Sequence, residues 1–259
     1  MSLIRGFKRI CREKYSEYGF VNHNQTFARI TNDVLQTFTL KRLSCGFECT
    51  VEFAIVPLCI GIKYPDLGTL ELHQMLSEYS EFRYDKHSDK SVENCLVKIF
   101  EAIDTYLIPM FHKAVDCKSA FDCLIEVKHL CEENRLMHLQ RKGIENCAEP
   151  FNKRILYDHN CYYMALKNSN YDYVKKYLET VLSDKKEYVF QRLKEIGEKD
   201  ALSSTDNSIK NVLLVIKRYE ELLEKLNSGN YGYFDEMIYE NERSSLTALE
   251  AYKMYPIYC

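Results

Sequence analysis

Alternation between apolar and polar residues in two neighbouring segments constrains the fold of this chain more than any other sequence feature. In residues 34–42 the even positions are mainly apolar, and in residues 47–55 the odd positions are. Successive side chains of a strand point to opposite faces, so each segment is a predicted strand with one apolar face. The short Ser44-Cys45-Gly46 connection predicts an antiparallel hairpin. The buried face of that hairpin is predicted to contain Phe38, Leu40, Val51 and Phe53.

The opposite face of the hairpin is predicted to be polar and wet, because it collects Thr37, Thr39, Lys41, Glu48, Thr50 and Glu52. A two-residue loop would place Lys41 across from Glu48. Glu48 and Glu52 lie about 13 Å apart along a strand, too far for the carboxylate pair of a glycosidase. Together with Arg29, the residues Lys41, Glu48 and Glu52 form a candidate binding surface for a peptide or protein. The alternative is an ordinary solvated sheet face.

Helical spacing of apolar residues governs the rest of the chain. A first helix is expected near residues 2–18, ended by Gly19, and a long helix over residues 91–114, containing Pro109, is expected to cross the apolar sheet face. Further helices are expected near residues 118–134, 158–168, 171–183, 186–197, 206–227 and 243–254. The prediction is an α+β fold of two domains. Residues 1–115 carry an N-terminal helix and an antiparallel meander sheet covered by a long helix, and residues 116–259 form an all-helical array of hairpins.

The segment 206–227 carries a narrow apolar stripe at alternating spacings of three and four residues. Asp206 is predicted to cap the start of this helix and Gly229 its end. Such a stripe favours antiparallel packing within one chain. The alternative is an interface through which copies of the protein assemble.

The N-terminal pattern is similar to a known family. An opening amphipathic helix is followed by Tyr18-Gly19-Phe20, a short Phe27-Ala28-Arg29 strand, the hairpin, Pro57 and a helix with Ile108-Pro109. This order resembles the bacterial domain-of-unknown-function family 4304 over roughly the first 115 residues. The resemblance implies a fold and a bacterial source but no reaction. The segment from Tyr163 to Val174 looks like half of a tetratricopeptide-type hairpin, without a visible repeat period.

Composition argues against several classes of protein. Hydrophobic residues make up 46% of the chain and charged residues 28%, which is typical of a globular protein. Apolar runs such as residues 53–62 fall short of the roughly 20 residues that cross a bilayer, and the N-terminus lacks the apolar stretch of a signal peptide. The 11 scattered cysteines therefore predict free thiols in the cytoplasm. A net charge of −3 with dispersed basic residues argues against nucleic acid as a partner.

No sequence motif indicates catalysis, a cofactor or a metal. The chain has no G-x-S-x-G elbow, no C-x-x-C pair and no glycine-rich phosphate loop. Cys45 and Cys49 come near the spacing of a zinc pair, but on a strand they lie too far apart to chelate one ion. Cys117, ahead of a helix and with His112 nearby, is the local candidate for an activated thiol, against the alternative of a structural thiol and a solvent histidine. We assign no catalytic residue, no metal ligand and no cofactor.

The sequence thus favours a cytoplasmic protein-interaction module without enzymatic activity; the alternative is an enzyme with a cleft between the two halves. Tyrosines at positions 171, 173, 177 and 188 concentrate rings around the predicted helices 171–183 and 186–197. Val174 and Leu178 define the buried stripe, which leaves Tyr173 as the preferred exposed anchor for a protein partner. The alternative is that these rings seal the helical hairpin.

Overall fold

The computed structural model describes residues 2–23, 25–43, 46–62, 70–76, 82–142, 159–196 and 207–251. Its contacts divide the chain into two compact units, Met1–Phe151 together with Tyr239–Cys259, and Asn152–Ile238. The fold is α+β, with an N-terminal helix, an antiparallel sheet covered by helices, and helical hairpins after it. The division differs from the boundary expected at residue 115, because the helix that begins at Cys117 is held by the sheet. The backbone N–H of Cys117 donates to the carboxylate of Asp33 at 2.9 Å.

The described part of the first unit contains the predicted opening helix, hairpin and covering helices, and adds three short strands that were not predicted, Val21–His23, Leu70–Glu71 and Phe82–Arg83. The helices are α1 (Leu3–Tyr15), α2 (Asp89–Ala102), α3 (Ile108–Lys113) and α4 (Cys117–Arg141). The strands are β1 (Val21–His23), β2 (Thr26–Thr31), β3 (Val34–Arg42), β4 (Glu48–Pro57), β5 (Leu70–Glu71) and β6 (Phe82–Arg83).

The sheet is an antiparallel meander in the order β1-β2-β3-β4-β5, and β6 also pairs with β4. Phe38 lies opposite Phe53 and Leu40 opposite Val51, and all four side chains are buried, which confirms the predicted core face. The loop is longer than two residues, since the N–H of Leu43 still bonds the carbonyl of Glu48. Lys41 therefore lies opposite Thr50 rather than Glu48.

Helices α1, α2 and α3 cover this core face. Phe7 and Tyr15 of α1 contact the ring of Phe38 edge-on, and Phe111 of α3 packs on it from another side. The predicted long helix begins at Asp89, capped by Ser88, and is interrupted by a π-helical turn at Ile103–Leu107. Pro109 follows that turn and has no N–H to offer the preceding carbonyls, which accounts for the change in helical hydrogen bonding there.

Gln36 is a fully buried polar residue on the core face. Its side-chain amide donates to the carbonyl oxygens of Phe111 and Ala114, 2.7 Å away in each case. Its side-chain oxygen accepts from Nε of Arg29 at 2.7 Å. Carbonyls at a helix C-terminus have no partner within the helix, so Gln36 ties the end of α3 to the middle of the sheet.

The opposite sheet face is only partly wet, which corrects the expectation of a polar, solvated face. Thr37 and Thr50 on this face are buried. Buried apolar side chains, which the alternating pattern did not predict here, lie next to them on the same face. This second core contains Ala28, Leu35, Ala54, Val56, Leu58, Ile62 and Leu249. Since Leu249 is almost 200 residues from the sheet in sequence, alternation within the strands could not reveal this cover.

The second core is closed by hydrogen bonds from the last helix that the structure describes, Tyr231–Ala251. The hydroxyl of Ser245 donates to the carbonyl of Leu58 and accepts from the N–H of Ile62, at 2.7 Å in each case. The side-chain amide of Asn241 donates to the carbonyl of Cys59 at 2.9 Å. These bonds fix the turn that follows β4.

The second unit is helical throughout its described residues. Its elements are α5 (His159–Lys167), α6 (Tyr171–Ile196), α7 (Asn207–Asn227) and the start of α8 (Tyr231–Ala251), within which the division between the units falls. The helices predicted at 171–183 and 186–197 are one helix, and the last helix begins earlier than predicted. The stripe of α7 packs on α6 through Leu182, Val189, Ile209 and Ile216, which confirms packing within the chain.

The turns before α6 and α8 repeat one another. Leu166 to Val174 and Leu226 to Phe234 share the pattern leucine, three residues, Asn-Tyr, one residue, tyrosine and an apolar residue. Both turns close in the same way, with a residue in the left-handed region, Ser169 at φ 55° and Gly229 at φ 72°. Gly229 thus ends α7 as predicted, whereas Asp206 lies outside the described residues. The turn therefore recurs in both sequence and backbone, whereas the helices on either side differ in length.

Candidate functional site

The polar part of the sheet face brings two of the predicted binding residues together. Lys41 forms an ion pair with Glu52, its diagonal neighbour across the β3–β4 pair. Glu48 instead pairs with Arg83 of β6, at 2.8 Å between Nε and Oε1. The three residues share one face, but each carboxylate is held by a different cation.

A cleft opens beside Lys41 and Glu52, with a volume of about 510 Å³. It lies where β3 runs past the first residue of β2, and its lining combines polar and apolar groups: Ile4, Gln25, Thr39, Leu40, Lys41, Arg42, Leu43, Gly46 and Glu52. The Lys41–Glu52 pair makes one wall both cationic and anionic. Such a cleft can accommodate a polar chain segment.

Arg29 lies on the other face of the sheet from Lys41. It is paired with Gln36 in the β2–β3 register, donates to the carbonyl of Tyr18 at 2.8 Å and covers the ring of Phe20 at 4.7 Å. Its guanidinium therefore seals the edge of the aromatic core. The side chains of a strand alternate between the two faces, so the register between β2 and β3 would have placed Arg29 and Lys41 on opposite faces.

Tyr173 is half-buried in the second unit. Burial raises the pKa of Tyr173, and a hydrogen bond with the thiol of Cys161 raises it further. Tyr177 is buried and in hydrogen-bond contact with Tyr219, whereas Tyr171 stacks on Tyr231 at 4.2 Å between ring centroids. These positions favour the interpretation that the rings seal the helical hairpins.

A groove opens between α6 and α7 in the second unit. Its volume is about 640 Å³, and it is lined by Leu182, Lys186, Glu220, Leu223, Glu224, Asn227 and Ser228. Lys186 bridges to Glu220 across it at 2.7 Å. Leu182 and Leu223 supply the apolar part of its lining. Its charged groups are the carboxylates of Glu220 and Glu224 and the ammonium group of Lys186.

Large apolar side chains continue this groove. Phe190 follows Lys186 by one turn of α6 and is 62% exposed, and Leu213 precedes Glu220 by two turns of α7 and is 48% exposed. Residues four and seven apart lie on the same side of a helix, so both side chains flank the groove. Neither residue belongs to the apolar stripe that packs α7 on α6, and helical spacing identifies only that stripe.

The thiols predicted as chemical candidates lie in separate environments. Cys117 is buried with its sulfur 3.8 Å from that of Cys59, whereas the ring of His112 lies against Tyr18. Cys49 is buried against Cys95 at 3.9 Å, and Cys45 lies outside the described residues. Among the described residues, no group of three or more histidine, cysteine, aspartate or glutamate side chains is arranged to hold a metal ion.

Comparison with protein-family models, with curated proteins and with solved structures gives no match for this chain. The resemblance of the N-terminal pattern to family 4304 therefore stays a prediction. Within the described ranges, no helix has both the length and the apolar composition to cross a membrane.

Proposed function

We propose that this chain is a protein-interaction module of the bacterial cytoplasm, without enzymatic activity, and that the groove between α6 and α7 binds a helical segment of a protein partner. The observation that carries the proposal is the pair of exposed apolar side chains, Phe190 and Leu213, beside an apolar-floored groove. Large apolar groups grouped in one place on a soluble surface are typical of interaction sites. The alternative of an enzyme with a cleft between the two halves stays a prediction.

The shape of the groove favours a helix as its occupant. Two antiparallel helices that pack through one stripe leave a furrow on each side, and a third helix fits such a furrow with residues spaced three and four apart. Leu182 and Leu223 would contact the apolar face of that helix, and Phe190 and Leu213 would enclose its end. An aromatic ring on the rim can contribute much of the binding energy of such a contact.

Charge defines the partner further. Glu220 and Glu224 line one wall, and Lys186 is already bridged to Glu220. A lysine or arginine on the flank of the incoming helix would meet this excess of carboxylates. We therefore expect an amphipathic helix with an apolar stripe and basic flanks, and binding that weakens as salt is added.

The test uses the full chain immobilised on beads, in cytosol from the cell that produces it. Phe190→Ser and Leu213→Ser should each weaken capture of one protein by about tenfold or more, since burial of a large apolar side chain contributes about 1.5–3 kcal/mol. Leu214→Ser is the matched control, because Leu214 is 67% exposed and lies on the side of α7 turned away from α6.

A photo-crosslinker at position 190 should then join the captured protein through a segment that is helical and apolar on one face. Equal capture by the chain and both groove variants would exclude the groove. A cross-linked segment that is extended or disordered would contradict a helical occupant.

A further inference from the structure

Two pairs of buried cysteines lie in direct contact in the first unit. The sulfur atoms of Cys49 and Cys95 are 3.9 Å apart, and those of Cys59 and Cys117 are 3.8 Å apart. Each pair joins the β4 region to a helix, Cys49 to α2 and Cys59 to the first turn of α4. Sulfur atoms at contact distance need only small side-chain rotations to form a disulfide.

The surroundings of the Cys49–Cys95 pair favour a thiolate at Cys95. Contact with the Cys49 thiol lowers the pKa of Cys95, and the positive charge of Lys98, one turn further along α2, lowers it too. The same contact, together with burial, raises the pKa of Cys49. Arg42 lies directly across the strands from Cys49 and adds a second cation on this face. Burial of Cys95 opposes this lowering. The cation one turn away therefore favours Cys95 as the attacking thiol of the pair, with Cys49 in contact as its partner.

The Cys59–Cys117 pair has almost the same sulfur separation but anionic surroundings. Contact with Cys117 and burial raise the pKa of Cys59, and the charges of Glu242 and Asp33 raise it further. Asp33 also accepts a hydrogen bond from the N–H of Cys117. This pair is therefore a control for the first within the same chain.

Access also differs between the two pairs. The thiol of Cys49 lies 3.6 Å from the carbonyl of Phe82 in β6, a strand of two residues at the margin of the sheet. Opening so short a strand breaks few hydrogen bonds, so this thiol is reached by local rather than global unfolding. Cys59 is covered by the amide of Asn241, which donates to its carbonyl.

We propose that Cys95 and Cys49 form a reversible oxidation site for a hydroperoxide, with Cys95 as the attacking thiol and Cys49 as the resolving thiol. The Cys95 thiolate attacks one peroxide oxygen, an S–O bond forms, the O–O bond breaks and water leaves after protonation. The Cys49 sulfur then attacks the sulfenic sulfur, the S–S bond forms, and the S–O bond breaks. The hydroxide released takes the Cys49 proton. In total, two thiols are oxidised to one disulfide and one hydrogen peroxide is reduced to two waters.

The disulfide would tie the start of β4 to the middle of α2, and thiol exchange would release it. The site lies in the first unit and does not depend on the proposed groove. A failure of one proposal therefore leaves the other standing.

The test treats the reduced full chain with equimolar hydrogen peroxide, blocks remaining thiols with iodoacetamide and maps disulfide-linked peptides. Combined trypsin and chymotrypsin cleavage after Phe47 and Phe53 isolates Cys49 from the other cysteines of β4 and its turn. We expect the Cys49–Cys95 link to form about tenfold or more faster than the Cys59–Cys117 link, because the thiolate is the attacking form and Lys98 favours it at Cys95.

Two variants check the order of events. Cys49→Ser should leave a sulfenic acid at Cys95 that dimedone labels, whereas Cys95→Ser should leave Cys49 fully alkylated. In guanidinium chloride the preference for the pair should disappear, since it depends on the fold. Equal rates for the two pairs, or dimedone labelling that appears at Cys49 first, would overturn the proposal.

Discussion

Replacing Gln36 by leucine tests the contact that ties α3 to the sheet. The side chains have similar volumes, so Gln36→Leu removes three hydrogen bonds without opening a large cavity. It leaves the carbonyls of Phe111 and Ala114 without this partner and deprives the half-buried Arg29 of one acceptor. Because Gln36 is 0% exposed, water cannot replace the lost bonds unless the structure moves.

The expected loss in unfolding free energy follows from the number of polar groups that lose a hydrogen-bond partner. Each buried polar group left without a partner costs about 1–3 kcal/mol, and the more apolar leucine returns part of that cost. We expect a net loss of about 3 kcal/mol in the unfolding free energy of the first unit. That corresponds to amide exchange about 100-fold faster in β3.

Hydrogen exchange followed by mass spectrometry is the suitable assay, because it reads residues 34–42 separately from the second unit. Two compact units need not unfold together, so a single melting curve would mix their stabilities. A change of less than about 1 kcal/mol would show that the carbonyls find other partners, and the reasoning would fail.

Gln36→Glu is the control for hydrogen-bond polarity. The carboxylate can still accept from Nε of Arg29 but cannot donate to the carbonyls of Phe111 and Ala114, so we expect Gln36→Glu to be destabilised at neutral pH although the Arg29 contact is kept. A variant with unchanged exchange in β3 would contradict the assignment of Gln36 as a donor to both carbonyls.

Three further predictions concern single side chains and turns. Phe53→Ala should cost about 3–5 kcal/mol in β4 exchange, because a fully buried ring leaves a cavity; a cost below about 1 kcal/mol would place the ring outside the core. Ser169→Gly should stabilise the second unit by up to about 1 kcal/mol and Gly229→Ala should destabilise it by a similar amount, since both positions are left-handed; hydrogen exchange in the helices of that unit in both variants checks the opposite signs. Ser245→Ala should cost about 2–3 kcal/mol by removing two buried hydrogen bonds, seen as faster exchange after β4, whereas unchanged exchange there would show that these bonds are not stabilising.

The sequence predicted only part of the candidate binding residues. Lys41 and Glu52 were expected on one face and lie there, but Arg29 was grouped with them because the β2–β3 register was unknown. Phe190 and Leu213 were passed over because a helical period identifies the stripe that packs and leaves the neighbouring positions ambiguous. The Asn-Tyr pair of the repeated turn occurs in the sequence at Asn170 and at Asn230, and the predicted helical hairpin included only the first of them.

The sequence by itself determined the β3–β4 hairpin, the positions of most helices and which face of the hairpin is buried, because side-chain periods of 2 and 3.6 are local properties of the backbone. Tertiary structure alone decided that Gln36 is a buried donor, that Leu249 covers the second sheet face, and that Cys49 meets Cys95. Each of these facts joins residues far apart in the chain. A local period specifies the direction of a side chain, whereas its partner depends on how distant elements pack around it.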